Sequence, residues 1–154
     1  MSEYIEVLDW SNEGLTEVPD LSDKIKTGLQ VLLLDDNELS ELPSWIGNLS
    51  TLTHLHLSNN QLKELPSCIA NLIALEDLYL SNNQLEEVPS SIGNLSTLQY
   101  LHLANNQLKE LPSSIGNLSA LKKLDLADNQ LDIEDANTER VIAQLRANGT
   151  VVYL

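Results

Sequence analysis

Apolar residues along this chain follow neither the 3.6-residue step of a helix nor the plain alternation of a long strand. The stretch HLHLSNNQLKELPSCIANLIAL, residues 54 to 75, sets Leu55, Leu57, Asn60, Leu62, Leu65 and Pro66 in a mixed rhythm. That rhythm returns every 23 residues: Asn37, Asn60, Asn83, Asn106 and Asn129 share the step, and Pro43, Pro66, Pro89 and Pro112 keep it. Five units result, each reading L-x-x-L-x-L-x-x-N-x-L-x-x-L/V-P-x-x-I-x-x-L, as in Leu75, Leu78, Leu80, Asn83, Leu85, Val88, Pro89, Ile92 and Leu95.

The L-x-L core of each unit alternates along a short strand, with leucines inward and intervening residues outward. Stacked units place these strands side by side as a parallel sheet. The asparagine sits where the chain turns away, and its amide can both donate to and accept from backbone groups left unpaired inside the stack. Asn37, Asn60, Asn83, Asn106 and Asn129 are therefore expected to form a structural ladder. Proline, with φ fixed, suits the first turn of a short helical or 3₁₀ piece on the outer side. Because that outer segment is wider than the strand, the stack is expected to curve with the sheet on its concave side.

Solenoid ends expose core and need caps. Residues 1–28 read as a degenerate cap repeat, in which Ile5, Leu8, Trp10, Leu15, Val18 and Pro19 fit the pattern and Glu13 replaces the asparagine. Residues 29–131 carry the regular strands and turns. In residues 132–154 the proline segment is replaced by a helical pattern through Val141, Ile142 and Leu145, started by Asp135 or Asn137 and ended by Asn148 and Gly149. Val152 and Leu154 then restore one more L-x-L strand, and a single domain with a built terminus is expected.

These motifs resemble those of leucine-rich-repeat proteins. The L-P-x-x-I-G-N-L segment is most similar to the 23-residue class of intracellular Ras-group and bacterial members. The resemblance implies an α/β fold, a curved right-handed horseshoe segment of a leucine-rich-repeat solenoid. It also implies a binding module, though for unrelated partners from one member to the next.

Composition changes the picture in three ways. With 42% apolar residues, no Phe and only 4% aromatics, the core has to be built from aliphatic side chains. The first residues, with Glu3, Glu6 and Asp9, do not resemble a secretory signal, and Cys68 is the single cysteine, so a soluble protein of the cytoplasm is expected. The net charge is −15, with eleven acids against Lys24 and Lys26 in residues 1–41. Such a surface repels phosphate backbones and anionic lipid, which argues against nucleic acid and membranes as partners and for a protein with a basic surface.

Function is sought at the positions the repeat leaves free. The outward strand positions form two columns: Val7, Val31, His54, Asp77, Tyr100, Lys123 and Val151, then Asp9, Leu33, His56, Tyr79, His102, Asp125 and Tyr153. At their centre His54, His56, Tyr79, Tyr100 and His102 make an aromatic patch, extended by Leu33, Asp77, Lys123 and Asp125. Glu6, Asp9, Asp35 and Asp36 flank it on one side and Lys122 and Lys123 on the other. Tyrosine is a frequent binding anchor, so this patch is the candidate partner-binding face. A metal on His54, His56 and Asp77 is disfavoured because His56 and His102 stand two strands apart and no C-x-x-C or H-E-x-x-H occurs. Catalysis by His102 with Asp125 lacks a neighbouring nucleophile. The expectation is a monomeric, non-catalytic protein-binding module with no cofactor. The alternatives are a spacer using its convex side or ends, and a repeat protein without a selected ligand.

Overall fold

The computed structural model describes residues 6–23 and 28–154, so the expected core position Ile5 and the two lysines Lys24 and Lys26 lie outside the described residues. Seven three-residue strands follow the repeat: β1 (Val7–Asp9), β2 (Val31–Leu33), β3 (His54–His56), β4 (Asp77–Tyr79), β5 (Tyr100–His102), β6 (Lys123–Asp125) and β7 (Val151–Tyr153). They pair in chain order, every pair parallel, in one open sheet. Parallel neighbours require a crossover of a dozen residues or more, and the rest of each unit supplies it. Four of these returns carry 3₁₀ helices, Ser44–Asn48, Ser67–Asn71, Ser90–Asn94 and Ser113–Asn117, and the last carries the α-helix α1, Ala136–Ala147.

The core lies between the sheet and the returns. Leu32, Leu55, Leu78, Leu101 and Leu124, the middle residues of β2 to β6, are fully buried, as are Leu34, Leu57, Leu80 and Leu103 just beyond the strands. Ile46, Ile69, Ile92 and Ile115 close the core from the 3₁₀ side. Pro43, Pro66, Pro89 and Pro112 stand one residue before these helices, at the N-cap, with φ between −63° and −67° and extended ψ. The expectation had placed them in the first turn. At the cap the fixed φ holds the entry angle, and the proline carbonyl still accepts from the isoleucine three residues on (Ile92 N to Pro89 O, 3.0 Å).

The asparagines stitch neighbouring units. Asn83 Oδ1 accepts from Leu62 N (3.0 Å), and its Nδ2 donates to Leu57 O (2.9 Å) and Leu80 O (3.1 Å). Asn60 and Asn106 repeat this pattern, Asn37 does so against Leu15 N and Trp10 O, and the half-buried Asn129 against Leu108 N and Leu103 O. Preceding each of them, Asp36, Asn59, Asn82, Asn105 and Asp128 take left-handed backbone with φ between 54° and 59°. Asn and Asp tolerate that region better than other side chains because they hydrogen-bond locally. Four of them form a second, exposed ladder: Asn105 Nδ2 donates to Asn82 Oδ1 (2.6 Å), Asn82 Nδ2 to Asn59 Oδ1 (2.7 Å) and Asn59 Nδ2 to Asp36 Oδ1 (2.8 Å). On the outer side Cys68 Sγ donates to Ser44 O (3.1 Å), as Ser91 and Ser114 hydroxyls do to the preceding units.

At the far end Asp135 caps α1, accepting from Thr138 N at 3.0 Å, whereas Asn137 instead donates its amide to Leu111 O. Val141, Ile142 and Leu145 cover the last 3₁₀ unit, and Gly149 leaves the helix at φ 89°. Leu154 departs from the expectation of a restored L-x-L: it is 50% exposed, whereas Leu34, Leu57, Leu80 and Leu103 are fully buried at the same position of their units. No described helix is long and apolar enough to cross a membrane.

Candidate functional site

Because the regular units share one length, the strand register from β2 to β6 is the repeat register, and β7 continues it across a longer return. Val31, His54, Asp77, Tyr100, Lys123 and Val151 are successive partners, as are Leu33, His56, Tyr79, His102, Asp125 and Tyr153. All of the candidate residues therefore stand on one face, set by three-residue strands whose backbones are paired on both sides.

Side-chain geometry divides them. In the second column His56 and Tyr79 rings meet at 4.3 Å between centroids, tilted by 45°, and Tyr79 and His102 at 4.4 Å with planes 8° apart. The rings thus run as a continuous, half-buried stack across β3, β4 and β5. Leu33 precedes the stack as a half-buried apolar shelf. In the first column His54 Nε2 lies 3.2 Å from Asp77 Oδ2, and its Nδ1 lies 2.8 Å from the Thr53 hydroxyl. The Thr53 hydroxyl donates its one proton to Gln30 O at 3.0 Å, so in its contact with His54 the ring Nδ1 is the donor. Tyr100 carries Lys122 Nζ 6.0 Å from its ring centroid.

The electrostatics follow from this packing. Burial raises the Tyr79 hydroxyl pKa, with the charges of Asp77 and Asp35 and the neighbouring Tyr100 adding to it. Burial lowers the His102 pKa below 6.5; Lys123 adds to that and Asp125 opposes it. His102 is accordingly neutral at pH 7. Asp9, at the acidic margin, is lowered by the hydrogen bond its Oδ1 accepts from Ser11 N and by the Ser11 side chain.

Among the described residues no hydrogen bond joins His102 to Asp125, whose Oδ1 accepts from Ala127 N at 3.2 Å. No three His, Cys, Asp or Glu groups converge as metal ligands among the described residues. Two residues outside the candidate set belong to the face. Asp35 Oδ2 lies 3.4 Å from His56 Nδ1 and Oδ1 accepts from Ser58 N at 2.7 Å; Tyr153 lies under Lys123 Nζ at 4.9 Å. The sequence places both beside the patch, Asp35 as an acidic flank and Tyr153 at the end of the second outward column.

Residues 68–139 match the family described as leucine-rich repeat region, and residues 27–85 match the leucine rich repeat family. The chain is a leucine-rich-repeat protein. No curated protein matches it. Among solved structures it is similar to a leucine-rich-repeat protein of Leptospira interrogans, at 31% identity and TM-score 0.65, over 90% of this chain and 40% of that one. An internalin of Listeria monocytogenes is similar at 30% identity and TM-score 0.71, over 89% of this chain and 38% of that one. So is the leucine-rich-repeat ectodomain of the receptor kinase GASSHO1/SCHENGEN3 from Arabidopsis thaliana, solved in complex with CASPARIAN STRIP INTEGRITY FACTOR 2. It is 38% identical with TM-score 0.65, over 75% of this chain and 14% of that one. The chain spans about two fifths of the first two solved proteins it matches. Leucine-rich-repeat domains commonly mediate protein–protein interaction.

Proposed function

We propose that this leucine-rich-repeat protein is a non-catalytic interaction module that takes a protein partner with a basic surface on the outward face of its sheet. The observation that carries the reading is the His56–Tyr79–His102 ring stack, flanked by His54, Asp77 and Tyr100 and seated on a fully paired sheet. A pre-stacked set of rings loses little side-chain freedom on binding, so contact made there is retained as affinity. Leu33 offers an apolar margin, and Asp77, Asp125 and Lys123 fix the polar ones. The receptor-kinase relative, whose ectodomain is solved in complex with CASPARIAN STRIP INTEGRITY FACTOR 2, supports a binding role. The carboxylates of Asp9, Asp35 and Asp77 favour a positively charged partner, and their contribution falls as salt rises past a Debye length of about 8 Å.

The test is a partner recovered with the full chain as bait and then measured by calorimetry against the wild type and a His56→Ala, Tyr79→Ala, His102→Ala triple variant. Central aromatic anchors each contribute about 2 kcal/mol or more, so binding should be lost while the fold is retained. Undiminished affinity with an intact melt would refute the assignment of this face and favour the convex side.

A further inference from the structure

The second column carries rings on β3, β4, β5 and β7, but on β6 it carries Asp125. The stack therefore has a missing rung. His102 and Tyr153 stand on strands two steps apart, roughly 9.6 Å, which is room for one further planar group between them. The floor of that interval is a carboxylate. Asp125 Oδ1 is engaged with Ala127 N, and among the described residues no hydrogen bond holds Oδ2. One cation already favours the place: Lys123 reaches over from the neighbouring column and sets its ammonium 4.9 Å from the Tyr153 ring centroid. An ammonium is compact and does not fill a flat slot, and its flexible stem can swing away.

Resting on the sheet face as the binding face, we propose that the interval between His102 and Tyr153 takes the guanidinium of an arginine, presented by a peptide segment of the basic partner. The planar cation completes the stack, one face on His102 and the other on Tyr153, and its N–H groups pair with the Asp125 carboxylate. Lys123 is displaced from the slot in the complex. His102, held neutral by its burial, presents a π face and no opposing charge at pH 7. Lysine in the partner would repeat only what Lys123 already supplies.

The full chain is titrated by NMR with N-acetyl-arginine-amide, N-acetyl-lysine-amide and the neutral isostere N-acetyl-citrulline-amide, following the ring protons of His102 and Tyr153. The arginine probe should reach half-saturation at about fivefold lower concentration than citrulline, the upper range of an exposed charge pair, and lower than lysine. Asp125→Asn, which keeps the acceptor for Ala127 N, should erase the preference over citrulline. Lys123→Ala, which vacates the slot, should tighten arginine by about two- to fivefold. Equal midpoints for arginine and citrulline, an arginine no better than lysine, or a preference that survives Asp125→Asn would each overturn the proposal. If the arginine probe fails while the triple variant still loses its protein partner, the slot falls and the binding face stands.

Discussion

Replacing Asn83 by leucine tests the feature on which the stack depends most. Asn83 is 8% exposed and its side chain serves backbone groups of two units: Leu62 N, Leu57 O and Leu80 O, with a longer contact to Ser81 O at 3.5 Å. Leucine has similar bulk, so water cannot enter to replace the amide. The buried Leu62 N–H then has no acceptor, at a cost of about 1–3 kcal/mol, and the two carbonyls, each with a second lone pair, lose less. Burying the apolar side chain returns about 1–2 kcal/mol. The net loss is roughly 2 kcal/mol, a large share of the ~5–15 kcal/mol that holds a domain together. For a chain of this length that corresponds to a melting temperature lower by about 4–8 °C. Circular dichroism melts and urea titrations of the two proteins measure it. Asn129→Leu is the internal comparison, since Asn129 makes the same contacts but is only half-buried and its cost should be smaller. Equal stability of Asn83→Leu and wild type would mean that the amide is dispensable and that the units are held by leucine packing alone.

Asp135→Ala removes the N-cap acceptor of Thr138 N and should destabilise the chain by about 1 kcal/mol, read as a lower denaturation midpoint at unchanged slope. Deleting residues 132–154 uncovers Leu118, Leu121 and Leu124 beneath α1 and β7 and opens the edge of β6, so the product should self-associate, visible as a concentration-dependent light-scattering mass. A monodisperse, equally stable product would contradict the covering role of α1. His102 has its pKa lowered in the folded chain, so the unfolded chain binds more protons between that value and 6.5. Stability should therefore fall as pH is lowered from 6.5 through the folded pKa, and His102→Gln should remove part of that slope; a His102 NMR titration midpoint at or above 6.5 would refute the assigned burial.

The repeat by itself determined the fold and the columns. A constant step of 23 residues leaves one register in which every leucine of the L-x-L core points inward, because a slip by one residue would turn His54, Asp77 and Tyr100 into the core. What the neighbours in a column do to one another was decided only by the tertiary structure. That Tyr79 lies flat on His102 but tilted to His56, that Asp35 turns toward His56 and not outward, and that Lys123 crosses to Tyr153 depend on rotamers chosen across strands. The left-handed Asx column was written in the Asn-Asn pairs, yet its backbone sign emerges only where the strand must turn. Asp135 and Asn137 were equivalent as caps until Leu111 O claimed one of them. Leu154 has the spacing of a core residue and is exposed, since spacing states which way a side chain points and only packing in space can bury it.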